Sequence, residues 1–394
     1  MAARKKIFFL TSRIPFPLEK GDKLRAYHQM RHLSQRHDIH LCVVSNQKLT
    51  AEAEQELNKF CSSINTYESK KTSIILNMIV SFFTGLPFQV GYFFNSGAHY
   101  FVKKTLEKVQ ADHIFVQLLR TAEFVKQVNL PKTIDYMDSF SMGMQRRKEK
   151  SSGLKKLAFH IENKRLKRYE ESIFPYFDQH FIISQQDKES FEFPAAKKIN
   201  VIPNGVDHEF FAPDKNVEKK YDLIFTGNMS YPPNVSAVEF IAQKILPLIW
   251  KQRPECNFII AGANPSSKVK ALSSDKIKVT GWVDDIRTCY NEGKICVTPL
   301  NIGTGLQNKL LEAMSMELPC VCSQLANNAL AAENGKEIVI ANRADDYAEN
   351  IINLLNDPEK RKSLASNGKK FIVKNYHWES IIAKMEKLMF SPTG

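Results

Sequence analysis

Short apolar runs bounded by turn residues recur along this chain, and a stretch with helical spacing follows almost every one. In the second half the order is "YDLIFTG", a helix from Asn234 to about Trp250, "CNFIIAG", "KIKVTG", a helix around Asp285 to Tyr290, then "KICVTPL". "PCVCS", "EIVIA" and helices through Leu355, Val373 and Leu388 complete it. The first half alternates likewise through "KKIFFLTS", "DIHLCVVS", "INTYES", "ADHIFVQ", "KTID" and "DQHFIIS". Apolar strands separated by helices imply parallel sheets covered on both faces. A chain of 394 residues is expected to form two such α/β domains. The turn Pro203-Asn204-Gly205, followed by Pro213 and a charged stretch to Lys220, marks the boundary. The expected domains are 1–205 and 206–375, with a terminal helix in 376–394.

Composition narrows the functional classes. Hydrophobic content of 43% with 25% charged residues is ordinary for a globular protein. The seven cysteines lack metal-site spacing, and Cys320 and Cys322 alternate along a strand, so they read as small core residues. The start "MAARKKIFFLTS" has too short an apolar run for a signal peptide, which points to the cytoplasm. Fifty-five Lys and Arg against 42 Asp and Glu leave +13, a charge that suits an anionic membrane, a phosphate-bearing substrate or nucleic acid. Nucleic acid is disfavoured, because the basic residues are not confined to one cluster and no aromatic-and-basic motif accompanies them. The basic segment 146–168 reads as a solvated helix face, or as a face that rests on anionic lipid at the inner side of the plasma membrane. The apolar stretch Ile74 to Phe88 is interrupted by Asn77, Ser81, Gly85 and Pro87 and falls short of the roughly 20 residues that span a bilayer. It reads as a buried or surface-docking helix.

Two stretches carry the chemistry. "GTGLQNKLLEAM", Gly303 to Met314, follows "KICVTPL" directly. Its glycines allow a tight turn and close approach of a ligand to the backbone. From Leu306 onward the residues are helix formers with apolar positions at helical spacing. A helix start of this kind offers free amide N–H groups and the positive end of the dipole, a seat for phosphate. Glu312, within the helix, is placed to accept hydrogen bonds from hydroxyls of the same ligand; phosphate with polyol describes a nucleotide sugar. The second stretch is the loop after "KKIFFLTS", where Pro15 and Pro17 hold the chain extended, Gly21 permits a turn and Asp22 is placed to cap a helix carrying Arg25 and His28. Such a loop lies at the carboxyl edge of a parallel sheet, where open α/β folds bind ligands. A plain connection with solvated Arg25 and His28 is the alternative. Asp135 and Asp138, where another strand ends, suit acid/base or hydroxyl-binding roles, or else Asp138 or Ser139 caps the next helix.

At "VIPNGVDHEFF", "GWVDDIRTCYNEGKICVTPL" and "GTGLQNKLLEAM" the chain resembles retaining glycosyltransferases of family 4. Gly227, Asn228, Met229, Tyr231, Pro233 and Asn234 match a "GN-M-x-Y-x-P-N" pattern of bacterial sugar transferases in exopolysaccharide or surface-glycan assembly. Pro15 to His28 resembles that subgroup's first loop. The resemblance implies an α/β GT-B fold: two Rossmann-like parallel-sheet domains facing across a cleft, with the C-terminal helix returning to the first. It implies that the second domain binds a nucleoside diphosphate sugar, UDP- or GDP-linked, with no other cofactor. The first would bind a glycan or lipid-linked acceptor. Carried over by position, the backbone of Gly303, Thr304, Gly305 and Leu306 cradles the donor's phosphate and sugar, with Asn228 nearby. Glu312 holds ribose hydroxyls, Lys309 lies near the nucleotide, and Trp282, Val283 and Asp284 flank the base. Gly21 and Asp22 approach the donor from the first domain, and Asp138, Asp22 and Arg25 serve the reacting centre.

The chain departs from the family at specific places. Thr304 stands where the first of two glutamates eight positions apart is usual, and Glu317 where glycine is common. Asn228 and Pro233 occupy the neighbourhood of an Arg and Lys pair that clamps the diphosphate, leaving Arg25, Arg120 or Lys309 to replace it. With no Asp-x-Asp loop, the expected reaction is metal-independent hexose transfer with retention at the anomeric carbon. A sugar-nucleotide epimerase of the same fold and a non-catalytic basic binding protein are the rival readings.

Overall fold

The computed structural model describes residues 4–301 and 305–391. The chain divides into two units, one running through Pro203 and resuming at Glu379, the other spanning Asn204–Trp378.

Unit 1 holds a seven-stranded sheet. Its strands are β1 (Lys6–Thr11), β2 (Asp38–Ser45), β3 (Ser63–Glu68), β4 (His113–Gln117), β5 (Lys132–Asp135), β6 (Gln179–Ile182) and β7 (Asn200–Val201). Their order is β3-β2-β1-β4-β5-β6-β7, and every pairing is parallel. Ile7, Phe8, Phe9 and Leu10 are all fully buried although successive side chains point to opposite faces, so helices cover the sheet on both sides. Each such side chain contributes about 1.5–3 kcal/mol through burial. The C-terminal helix Trp378–Met389 is held largely by contacts in unit 1. There Glu386 accepts from Arg36 at 2.6 Å and lies 2.9 Å from His37 Nε2.

Unit 2 holds six strands: β8 (Tyr221–Thr226), β9 (Phe258–Ala261), β10 (Ile277–Val279), β11 (Gly293–Thr298), β12 (Cys320–Cys322) and β13 (Val339–Ile340). They lie in the order β10-β9-β8-β11-β12-β13, again all parallel. In both sheets the first strand of the unit lies centrally and the connections turn outward in opposite directions from it. The crevices at β1/β4 and β8/β11 are therefore the topological switch points, where ligands of open α/β sheets bind. All seven cysteines are buried and free.

Two helices differ from the sequence reading, in three details. The helix expected from Asn234 begins at Pro232, since two prolines fit its first turn, where no intrahelical N–H bond is lost. Farther on it widens into a π turn over Ile241–Ile245, which makes room ahead of Pro247, a residue with no N–H to donate. Third, the helix after Gly305 starts only at Asn308: Gly305 has φ +85°, and the Gln307 side chain donates back to the Gly305 carbonyl at 3.1 Å. The apolar stretch forms the helix Lys71–Thr84, with only Ile74 and Ser81 buried, so it lies on the surface of unit 1.

Candidate functional site

The β8/β11 crevice of unit 2 is built from loops that pack too tightly for side chains. A Cβ on Gly262 would lie 1.9 Å from the Gly227 carbonyl oxygen, and both glycines have positive φ (+138° and +148°). The Gly227 amide donates to Ala261 and the Gly262 amide to the Gly281 carbonyl, which ties together the loops after β8, β9 and β10. After Gly227, the Asn228 side chain accepts from the Ser230 amide and hydroxyl, Met229 is fully buried, and Asn234 Nδ2 donates to the Asn228 carbonyl at 2.9 Å. The Asn228 side chain thus shapes this turn.

The turn supports one cation. Lys309, one residue inside the helix Asn308–Ser315, donates its Nζ to Asn234 Oδ1 at 2.7 Å and lies 3.9 Å from the Phe225 ring centroid. A Cβ on Gly227 would come within 3.1 Å of that Nζ, so the ammonium sits against the glycine turn. One helical turn on, Glu312 Oε2 accepts from Tyr290 Oη at 2.8 Å, and Tyr290 also bonds Thr226 at 2.7 Å. Glu312 Oε1 has no partner among the described residues. Protein crowding raises the Glu312 carboxyl above its usual range against the pull of Tyr290 and Lys309. The residue is only half-buried, so a ligand can still reach it. Trp282 presents a 64% exposed indole beyond Gly281, with Asp284 bonded to its Nε1 at 3.3 Å, while Val283 packs on the core. Gly303 and Thr304 lie outside the described residues; Gly305 and Leu306 lead into the helix. At Glu317 the backbone takes φ +52°, the left-handed conformation that favours glycine, and the side chain pairs with Lys369.

Burial lowers the Lys309 pKa from 10.5 to about 7, although Cys296 and Glu312 pull it upward. Between these values the unfolded chain binds more protons than the folded one, so this group makes ligand-free stability rise with pH from about 7 toward 10.5. A phosphate-bearing anion held against Lys309 would reverse the preference, and the amine would take up a proton. The affinity for such an anion, with a nucleoside diphosphate as the probe, is therefore expected to fall above pH 7, by up to about tenfold per pH unit. Calorimetry in two buffers of different ionisation enthalpy reads the proton uptake, and Lys309→Met is expected to abolish the slope.

In unit 1 the sequence candidates separate. Asp22 is not the helix cap but a first-turn residue of the helix Gly21–Leu33; it is buried and paired with Arg13. Its carbonyl accepts from Gln117 at 2.7 Å. Gly21 lies beside Met137. Arg25 is fully buried, its Nε 2.6 Å from Asp135 Oδ2, and Gln29 donates to the same oxygen at 2.6 Å. The Met137 amide takes the other oxygen of Asp135 at 3.1 Å, so that carboxylate serves the fold. Ser139 caps the helix Phe140–Glu149, which leaves Asp138 exposed at the strand end. Crowding, with Asp187 and Asp22 adding negative charge, raises the Asp138 carboxyl; it nonetheless keeps the open face that a ligand-binding group needs. Leu118 and Met137, both at φ +67°, hold this sheet edge in strained conformations of the kind that collect at functional sites. Among the described residues, no three His, Cys, Asp or Glu side chains cluster as a metal cage.

Asn234, Tyr290 and Gly262 were missed as site residues. Asn234 was visible in the matched motif, whereas Tyr290 reaches the crevice from the helix Ile286–Glu292 and Gly262 through the pairing of β9.

Residues 220–357 match the family described as Glycosyl transferases group 1. Over 97% of its length the chain is 23% identical to 99% of an "Uncharacterized 44.6 kDa protein in cps region" of Klebsiella pneumoniae. Over 48% of its length it is 23% identical to 53% of the Escherichia coli UDP-Gal:alpha-D-GlcNAc-diphosphoundecaprenol alpha-1,3-galactosyltransferase. Among solved structures it is similar to Anabaena HepE, solved in complex with UDP and glucose, with TM-score 0.71 and 13% identity over 98% of this chain and 99% of that one. The architecture is GT-B.

Proposed function

We propose that the protein is a glycosyltransferase of surface-glycan assembly, moving a hexose from a UDP- or GDP-linked donor to a glycan or lipid-linked acceptor. The observation that carries this is the unit 2 crevice, where a cation, a carboxylate with an open oxygen and an exposed indole surround glycine loops at a switch point. The match to group 1 transferases and the similarity to a protein of a cps region support it.

In this reading the Trp282 indole stacks on the base and Glu312 accepts from ribose hydroxyls. The Lys309 ammonium and the free amides at the start of its helix meet the charge that grows on the departing diphosphate. A fixed cation and dipole do this without a metal, and the anomeric configuration is retained. Unit 1 binds the acceptor, with Asp138 the carboxylate open to its hydroxyl.

The test is a thermal-shift screen over UDP- and GDP-sugars, followed by incubation of each stabilising donor alone and with membrane extract. A donor that stabilises the protein and transfers its sugar only when extract is present supports the proposal. An isomerised nucleotide sugar formed from donor alone assigns an epimerase, and no stabilisation by any nucleotide sugar rejects the reading.

A further inference from the structure

The crevice of unit 1 contains a pocket of about 450 Å³ at the β1/β4 switch point, entered from the loops after β1, β2 and β4. We propose that it binds the phosphate of a lipid-linked acceptor, whose apolar carrier lies along the exposed face of the helix Lys71–Thr84. The proposal rests on the transferase reading and specifies its acceptor.

The pocket's polar wall is cationic. Arg13, Lys20 and Arg120 line it. Arg120 lies over the Phe93 and Phe140 rings at 5.9 and 5.0 Å. No carboxylate or carbonyl among the described residues accepts from it. Arg13 uses one nitrogen on Asp22 and keeps the rest of its fork. Two enclosed lining atoms, Ser12 Oγ and Gln89 Nε2, also lack a hydrogen-bond partner. Asp22 and Asp138 attract Arg120 without a hydrogen bond to it. A buried donor without an acceptor is costly, so Ser12 Oγ and Gln89 Nε2 beside a guanidinium that makes no hydrogen bond among the described residues form a site that lacks acceptors. Phosphate oxygens supply several acceptors and the charge together.

The apolar wall indicates what carries that phosphate. Met78 lines the pocket from the helix Lys71–Thr84. On that helix Ile75, Leu76, Ile79, Val80, Phe82 and Phe83 are 52–80% exposed, an apolar surface uncommon on a soluble protein. The helix contains no acidic residue and begins at exposed Lys70 and Lys71. Its last turn is fastened by Arg165, which donates to the Ser81 and Phe82 carbonyls at 3.0 and 2.9 Å. Arg165 belongs to the helix Gly153–Ile173, which exposes Leu154, Leu157 and Ile161 among Lys155, Lys156 and Lys164. No described helix is long and apolar enough to cross a membrane. An apolar face edged with lysines suits the surface of an anionic bilayer, where a lipid carrier presents its phosphate at headgroup depth.

Calorimetry with the full chain, with and without saturating UDP, can test this using inorganic pyrophosphate and farnesyl diphosphate as probes. Farnesyl diphosphate is expected to bind at least tenfold tighter than pyrophosphate. Arg120→Gln should weaken both about tenfold and leave UDP affinity unchanged. Ile79→Asn with Phe83→Ser should weaken farnesyl diphosphate only. Equal affinity for the two probes assigns a soluble phosphate ligand and overturns the lipid assignment. A loss of UDP affinity in Arg120→Gln moves Arg120 to the donor, and unchanged affinity for both probes removes it from the site; either result overturns the proposal. Failure of both UDP and GDP to bind wild type, with both probes still responding to Arg120→Gln, rejects the transferase reading and leaves the phosphate site standing.

Discussion

Changing Glu312 to alanine is expected to reduce sugar transfer about 100-fold and to weaken UDP binding by a similar factor. Hydrogen bonds to a charged group contribute about 1.5–3 kcal/mol each, and 2.7 kcal/mol is roughly a factor of 100. Part of the loss is indirect, because Tyr290 Oη loses its 2.8 Å acceptor and the Lys309 ammonium loses a neighbouring negative charge. A dideoxy analogue of UDP separates the contributions. If Glu312 holds ribose hydroxyls, wild type binds the analogue weakly and the alanine variant weakens its binding further only by the indirect part. If Glu312 only positions Tyr290, the variant weakens UDP and its analogue alike. Glu312→Gln keeps an acceptor and gives up the charge, so it is expected to fall between. An alanine variant with full affinity and rate removes Glu312 from the donor site.

The parts of this site that could be read from the sequence are those made by local chemistry. A glycine turn running into helix formers places Lys309 and Glu312 on one face of one helix, because residues three apart share a face. The alternation of strands and helices likewise forces parallel sheets. Contacts between distant segments could not be read. Gly262 matters because its missing Cβ admits the Gly227 carbonyl, which is evident only when β8 and β9 pair. From the sequence Arg25 reads as a helix residue beside a ligand-binding loop, yet its partner Asp135 is 110 positions away on β5. The helix Lys71–Thr84 reads either way from its letters, which suit a core or a docking surface, and its place in the fold decides for the outside.

Arg25 now has two readings that one stability experiment separates. Both members of the Arg25–Asp135 pair are fully buried, so removing one leaves the other charged in an interior that cannot solvate it. Arg25→Met is therefore expected to destabilise unit 1 by about 3–5 kcal/mol, which at 2–4 °C per kcal/mol for a unit of this size lowers its melting temperature by about 10 °C. Asp135→Asn added to that variant removes the stranded charge; its one amide oxygen still accepts from the Met137 amide, and its NH2 faces Gln29, whose Oε1 has no hydrogen-bond partner and accepts once that amide turns over. The double variant should recover most of the loss, as neutral replacements of buried ion pairs commonly do. Its transferase rate then decides the role. A guanidinium that touched the reacting groups is missing from the double variant, which would fold normally and stay inactive by orders of magnitude. A guanidinium that only holds the first helix of unit 1 against β5 is replaced by the neutral pair, and activity returns with the fold. The fully enclosed geometry favours the second outcome.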